Sequence, residues 1–149
     1  MKIMPDVIHD QNLLVARPED NARHVAKAMV QRQVSSILVL DEAGKLIGIV
    51  TERDFTRRFA VEGVDAEKTT AGDIMTRDVE TLSPDDSAFA ALELMELRNF
   101  RHLPVVGGDG KPLGIVSIRD LYAVVNRESR SLLAKTQTYL FDDRYNLDM

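Results

Sequence analysis

Apolar residues recur along this chain with two different periods. Ala22, Val25, Ala26, Met29 and Val30 return every three or four residues, which marks one face of a helix, and Ala88, Ala91, Leu92 and Met95 mark another. Short apolar runs at 36–40 and 46–51, and again at 102–106 and 113–117, predict strands. Each pair of runs is joined by a turn-rich segment, Asp41-Glu42-Ala43-Gly44 or Gly107-Gly108-Asp109-Gly110, and so reads as a hairpin. Strand-like pieces at 13–16 and 79–82 precede the helices. Each is stopped by a proline, Pro18 or Pro84. Asp20 or Asn21, and Asp86 or Ser87, are the candidate N-caps. Second helices are expected over 52–60 and 118–126. The order is β-α-β-β-α, read twice.

The doubling is visible in the residues themselves. Asp54 and Asp120 stand 66 positions apart, and at that shift residues 16–58 lie over 82–124 without a gap. Pro18, Asp20, Ala22, Met29, Arg32, Val39, Gly44 and Lys45 all recur in this register, as do Gly48-Ile49-Val50, Arg53 and Asp54. A repeat of this length decides the fold before any single element does. A unit of this size buries too little surface to stand alone, so an α+β (α/β) fold with the copies packed sheet against sheet is expected. Met29 and Met95 hold one position of the repeated helix face and are assigned to the core.

Composition narrows the function. The 149 residues suffice for one domain's core, and a net charge of −5 argues against a nucleic-acid partner. The absence of Cys excludes disulfides and thiolate metal sites. The longest apolar run, residues 37–40, is far short of a membrane span. Residues 1–10 carry Asp6 and Asp10 and show no cationic-then-apolar export pattern, so a cytoplasmic location is the default. Three His, no Cys and no Gly-x-Ser-x-Gly leave little for nucleophilic catalysis, and the chain is read as a non-enzyme. The acidic pairs Asp85-Asp86 and Asp142-Asp143 read as solvated turns and caps, and no metal site is assigned.

Candidate chemistry concentrates at Gly48-Ile49-Val50-Thr51-Glu52-Arg53-Asp54 and Gly114-Ile115-Val116-Ser117-Ile118-Arg119-Asp120. In each, a strand ends in a hydroxyl, and a carboxylate follows one helical turn later. Two readings stand side by side. The pattern is close to a capping box, in which hydroxyl and acid satisfy the helix start. It also gathers a hydroxyl, a carboxylate and free helix N–H groups at one point, which suits contact with a polar ligand. The two roles can coexist.

The tandem β-α-β-β-α order, with these two corners and Arg101-His102-Leu103-Pro104-Val105, resembles the CBS-domain pair, or Bateman module, over residues 6–126. With no effector domain left over, it is similar to the free-standing bacterial members. The resemblance implies a pseudo-two-fold pair with two clefts for adenosine-containing ligands, AMP, ADP or ATP most often, NAD or S-adenosylmethionine in some members. It also implies a homodimer and an effector protein that reads the ligand state. The implied contacts are Thr51, Asp54, Ser117 and Asp120 for ribose and phosphate, with Arg53 and Arg119 balancing charge. Arg101 and His102 would lie beside the phosphates. His102, Leu103 and Pro104, or their counterparts Ser36 and Ile37, would line the adenine slot. Because Ser35-Ser36 stands where the second copy has Arg101-His102, the two clefts are expected to differ, the latter favouring an anion. Residues 6–61 and 73–127 are then the repeats and 62–72 an exposed linker. Residues 128–149 form a helical tail, a frayed end or a partner-contacting arm carrying Tyr139, Phe141 and Tyr145.

Overall fold

The structure, a computed structural model, describes residues 1–9 and 11–146, with side chains described through residue 136. The first repeat contains β1 (Val15–Ala16), α1 (Ala22–Arg32), β2 (Ser36–Leu40), β3 (Leu46–Thr51) and α2 (Glu52–Phe55), whose turns continue over Thr56–Val61. A short α3 (Ala71–Ile74) leads into the second repeat: α4 (Ala88–Arg98), β4 (His102–Val106), β5 (Pro112–Ser117) and α5 (Ile118–Asn146). The sheets run β1-β2-β3 and β4-β5. The repeats match down to their irregularities. The hairpin register slips at Val39/Leu40 in one and at Val105/Val106 in the other.

Local chemistry explains the helix ends. Asn21 accepts from the backbone N–H groups of Arg23 and His24, and Ser87 accepts from Ala90. Asp20 and Asp86 instead accept from Arg17 and Ser83, closing the turn before each cap at 2.9 and 2.8 Å. Both helices end in the left-handed region, at Gln33 and Asn99.

Four expectations change. Residues 79–82 do not form a strand; Leu82 alone makes a parallel bridge to Val105. Val30 is 77% exposed, because the α1 stripe is narrower than its apolar spacing, and Ala22, Val25 and Met29 form the buried face. The second helix does not stop near residue 126 but runs on to Asn146. Residues 62–72 are not a free linker. Thr69 and Ala71 are buried, and Thr70 with Asp73 caps α3. The aromatic side chains of Tyr139, Phe141 and Tyr145 lie outside the described residues.

Two cores result, and each borrows its lid. Ala71, Ile74 and Met75, which lead into the second repeat, join the first core with Val25, Met29, Ile37 and Val50. Ile3 and Ile8, at the start of the chain, join the second with Met95, Leu103, Val116 and Leu121. The backbone follows the same exchange. The first N–H of α1, at Ala22, donates to the Thr69 carbonyl (2.8 Å), and that of α4, at Ala88, donates to the Met1 carbonyl (2.9 Å). Between the cores, Leu38 is fully buried although its neighbours Ile37 and Val39 face the first core. Strand alternation therefore turns Leu38 toward the other repeat, as it does its counterpart Pro104. The sheets meet there.

Ile3 is wholly buried in a repeat it does not belong to. Replacing Ile3→Ala should cost about 2–5 kcal/mol of unfolding free energy. A urea-denaturation midpoint unchanged from the unaltered chain would refute the crossed-lid arrangement.

Candidate functional site

Both corners are helix caps. The backbone N–H and hydroxyl of Thr51 donate to Asp54 Oδ2 at 2.8 and 3.2 Å. At the second corner the N–H of Ser117 donates to Asp120 Oδ2 and the N–H of Asp120 donates to Ser117 Oγ, each at 3.0 Å. One carboxylate oxygen is therefore committed. The other is not bound into the cap: Asp54 Oδ1 lies 3.7 Å from Arg57 Nη2. Ahead of each cap, the first helical N–H is held by a strand-start carbonyl, Glu52 by Ser35 (3.0 Å) and Ile118 by Arg101 (2.8 Å).

The glycines of the motif admit a covering segment. A Cβ at Gly48 would collide with the Met75 side chain, and one at Gly114 would lie 2.6 Å from Ile8 Cδ1. Those segments close the outer edges of β3 and β5. Ile49 exchanges two backbone hydrogen bonds with Thr76, at 3.1 and 2.9 Å. Ile115 makes the same pair with the Gln11 side chain: its N–H donates to Oε1 (2.9 Å), and Gln11 Nε2 donates to its carbonyl (3.2 Å). An edge so paired cannot recruit a foreign strand.

A cavity of about 910 Å³ opens at the first corner. Thr51, Arg53 and Asp54 from the first repeat face Arg101, His102 and Leu103 from the second across it. Six of the expected contacts thus line one cavity, a grouping the sequence reading did not make. Ser117, Arg119 and Asp120 belong to the opposite corner and do not line this cavity. Ser36, Ile37 and Pro104 are corrections to the expected adenine slot: all three are buried in the sheets, and Ile37 faces the first core. The sequence reading missed Arg57 and the pair Glu80–Arg98 (2.9 Å) on the cavity wall. The spacing of Arg57, one turn beyond Asp54, was the available signal.

The wall is electrostatically uneven. Among the described residues Arg53 and Arg101 have no carboxylate partner, whereas Arg98 is held by Glu80. His102 Nε2 is 3.0 Å from Ser35 Oγ, a contact between the repeats. Burial holds the imidazole below its ordinary value, against the pull of Asp120 and Glu52, with Arg101 adding to the depression. Among the described residues no group of three acidic or His side chains is placed to hold a metal. Asp85 pairs with Lys2 at 3.4 Å, and the side chains of Asp142 and Asp143 lie outside the described residues. No helix among the described residues is long and apolar enough to cross a membrane.

Comparison with known proteins identifies the fold. A family model described as CBS domain matches residues 6–61 and 71–127. The mitochondrial CBS domain-containing protein CBSX3 of Arabidopsis thaliana is 33% identical over 135 residues, covering 88% of this chain and 65% of the relative. Two further curated relatives are spanned to 63% and 58% of their length, so the chain corresponds to about two thirds or less of these proteins. A crystal structure of a protein with CBS domains from Burkholderia ambifaria superposes with a TM-score of 0.75 at 29% identity, covering 84% of this chain and 93% of that one. The CBS domain pair of protein MJ0100, solved in complex with 5′-methylthioadenosine and S-adenosyl-L-methionine, gives 0.75 at 25% identity, covering 86% and 98%.

Because the folded state binds a proton at His102 less readily than the unfolded chain, it loses stability as pH falls below the ordinary value of 6.5. Above that pH the contribution is complete. In His102→Gln the slope of unfolding free energy against pH should flatten between about pH 6.5 and 5, as read from urea titrations. An identical slope in both proteins would show that His102 is not the group responsible.

Proposed function

The chain belongs to the CBS-domain family, and on that premise we propose that it is a regulatory module binding an adenosine-containing ligand between its repeats. The observation that carries this reading is the convergence of a capped carboxylate, Asp54, with Arg53, Arg101 and His102 on one 910 Å³ cavity. Asp54 is 7% exposed and its Oδ2 is spent on the cap. Its Oδ1 can accept from a sugar hydroxyl, a charge-assisted bond of the stronger class. The Thr51 hydroxyl stands beside it. The unpartnered guanidinium groups favour a phosphorylated ligand of the AMP, ADP and ATP class over cationic S-adenosylmethionine, with NAD as an alternative. The adenosyl ligands of the MJ0100 pair support the nucleoside as the common recognised part.

In this reading Ser117, Arg119 and Asp120 form a second, weaker anion site, since Ser35 and Ser36 stand where the first has Arg101 and His102. Output follows from linkage. A ligand that contacts both repeats favours one arrangement of them, and an effector protein or a homodimer partner senses that population. The role is regulatory rather than catalytic, in a cytoplasmic setting.

A ligand-free scaffold is the competing reading, and the observation in its favour is that both carboxylates already serve as caps. A thermal-shift screen with AMP, ATP, NAD and S-adenosylmethionine separates the two, because only a ligand bound to the folded state raises the melting temperature. Asp54→Asn keeps an acceptor for Thr51 while removing the charge. It should weaken AMP binding by about 1.5–3 kcal/mol in calorimetry. No melting shift with any of the four compounds would leave the scaffold; equal AMP affinity in Asp54→Asn would remove Asp54 from the site.

A further inference from the structure

The two corners are joined across the repeat interface by three hydrogen bonds, connected through the covalent frames of Ser35 and of Arg101-His102. The path begins at the first N–H of α2, where Glu52 donates to the Ser35 carbonyl at 3.0 Å. Ser35 Oγ then meets His102 Nε2 at 3.0 Å. His102 follows Arg101, whose carbonyl holds the first N–H of α5 at 2.8 Å, and it sits opposite Ser117 in the β4–β5 register. One imidazole thus lies between both helix starts that carry the corner carboxylates. Ser35, Arg101 and His102 also line the first cavity.

We infer that the Ser35–His102 contact is a proton-coupled link through which the two corners sense one another. The hydroxyl suits the task because it can both donate and accept. With the neutral imidazole protonated on Nδ1, the Ser35 hydroxyl donates to Nε2. When Nε2 takes up a proton, that N–H donates to Ser35 Oγ, and the serine hydrogen turns away, toward the cavity. No bond between the repeats is lost; its direction reverses. The charged groups acting on the ring come from three places: Asp120 on α5 and Glu52 on α2 favour the proton, and Arg101, just before β4, opposes it. An anion settling between Arg53 and Arg101 offsets Arg101 and draws the proton on. An anion held at the far corner adds to the negative charge of Asp120 and draws the proton on as well. Occupancy at either corner therefore changes the charge presented at the other, and by linkage the effect is reciprocal. This inference rests on the proposed anion-binding role of the first cavity only where AMP is used as the probe.

The test is an NMR titration of the labelled full chain between about pH 5 and 8, the range in which histidine changes charge. The His102 ring and the amides of Glu52 and Ser117 should titrate with one midpoint. In Ser35→Ala the Glu52 amide should stop following the ring while Ser117 continues to do so, and Ser35→Thr should restore it. Adding AMP should raise the His102 midpoint, and AMP affinity should be several-fold greater at about pH 6 than at about pH 8. Asp120→Asn should lower the midpoint without AMP. A Glu52 amide that follows the ring equally in Ser35→Ala, or a midpoint unmoved by saturating AMP, would overturn the link. Failure of AMP to bind at all would instead count against the ligand reading, and the ligand-free titrations would still decide the link.

Discussion

Each half of this molecule is incomplete without a strip of chain that precedes the other half. Residues 1–8 close the second core through Ile3 and Ile8, and residues 69–75 close the first through Ala71, Ile74 and Met75. The exchange satisfies backbone as well as apolar demands. The leading N–H groups of α1 and α4 have no partner within their own helices, and each is taken by a carbonyl of the crossing strip. Neither repeat then completes its core from its own residues alone, and the crossing strips tie the two together.

The corner carboxylates show how a structural group becomes available for recognition. A helix cap is worth about 1 kcal/mol and occupies one oxygen. Two-oxygen acids leave a second acceptor, already oriented and partly desolvated, facing whatever enters the cavity. In the proposed reading the cap does the positioning that binding requires, since Asp54 needs no rotamer change to present Oδ1. The glycines six residues upstream of each carboxylate, Gly48 and Gly114, serve the same corner. They make room for the crossing strip, which closes the strand edge that leads into the corner.

Symmetry in the backbone is broken by side chains. The same turn that carries Arg101 and His102 in the second repeat carries Ser35 and Ser36 in the first, and Thr56 on the first corner's helix is matched by Tyr122, whose hydroxyl donates to Glu96 at 2.8 Å. Cationic groups therefore gather on one side of the pseudo-dyad. Duplication supplied two equivalent frames, and substitution made their charges unequal, which the proposed reading takes as one stronger anion site. His102, placed where the frames meet, touches Ser35 of one repeat and feels Asp120 of the other.

Much of this was legible in the residues alone. The 66-residue register, the helix faces around Met29 and Met95, and the two capped corners at Asp54 and Asp120 follow from local periodicity and from a motif repeated in order. Local signals carry such features because they depend on neighbours three or four positions away. Val30, the linker and the adenine-slot residues Ser36 and Ile37 were misplaced for the opposite reason: their environment is set by segments far off in the chain. An apolar spacing says that a face exists but not how wide the opposing surface will be, and a polar stretch with glycines says nothing of a neighbour waiting to bury Thr69 and Ala71. Nor could sequence disclose that the N-terminus caps the second repeat or that Ser35 meets His102 across 67 positions. Those pairings exist only once two sheets are brought face to face, because distance in space, and not order along the chain, decides which polar groups satisfy one another.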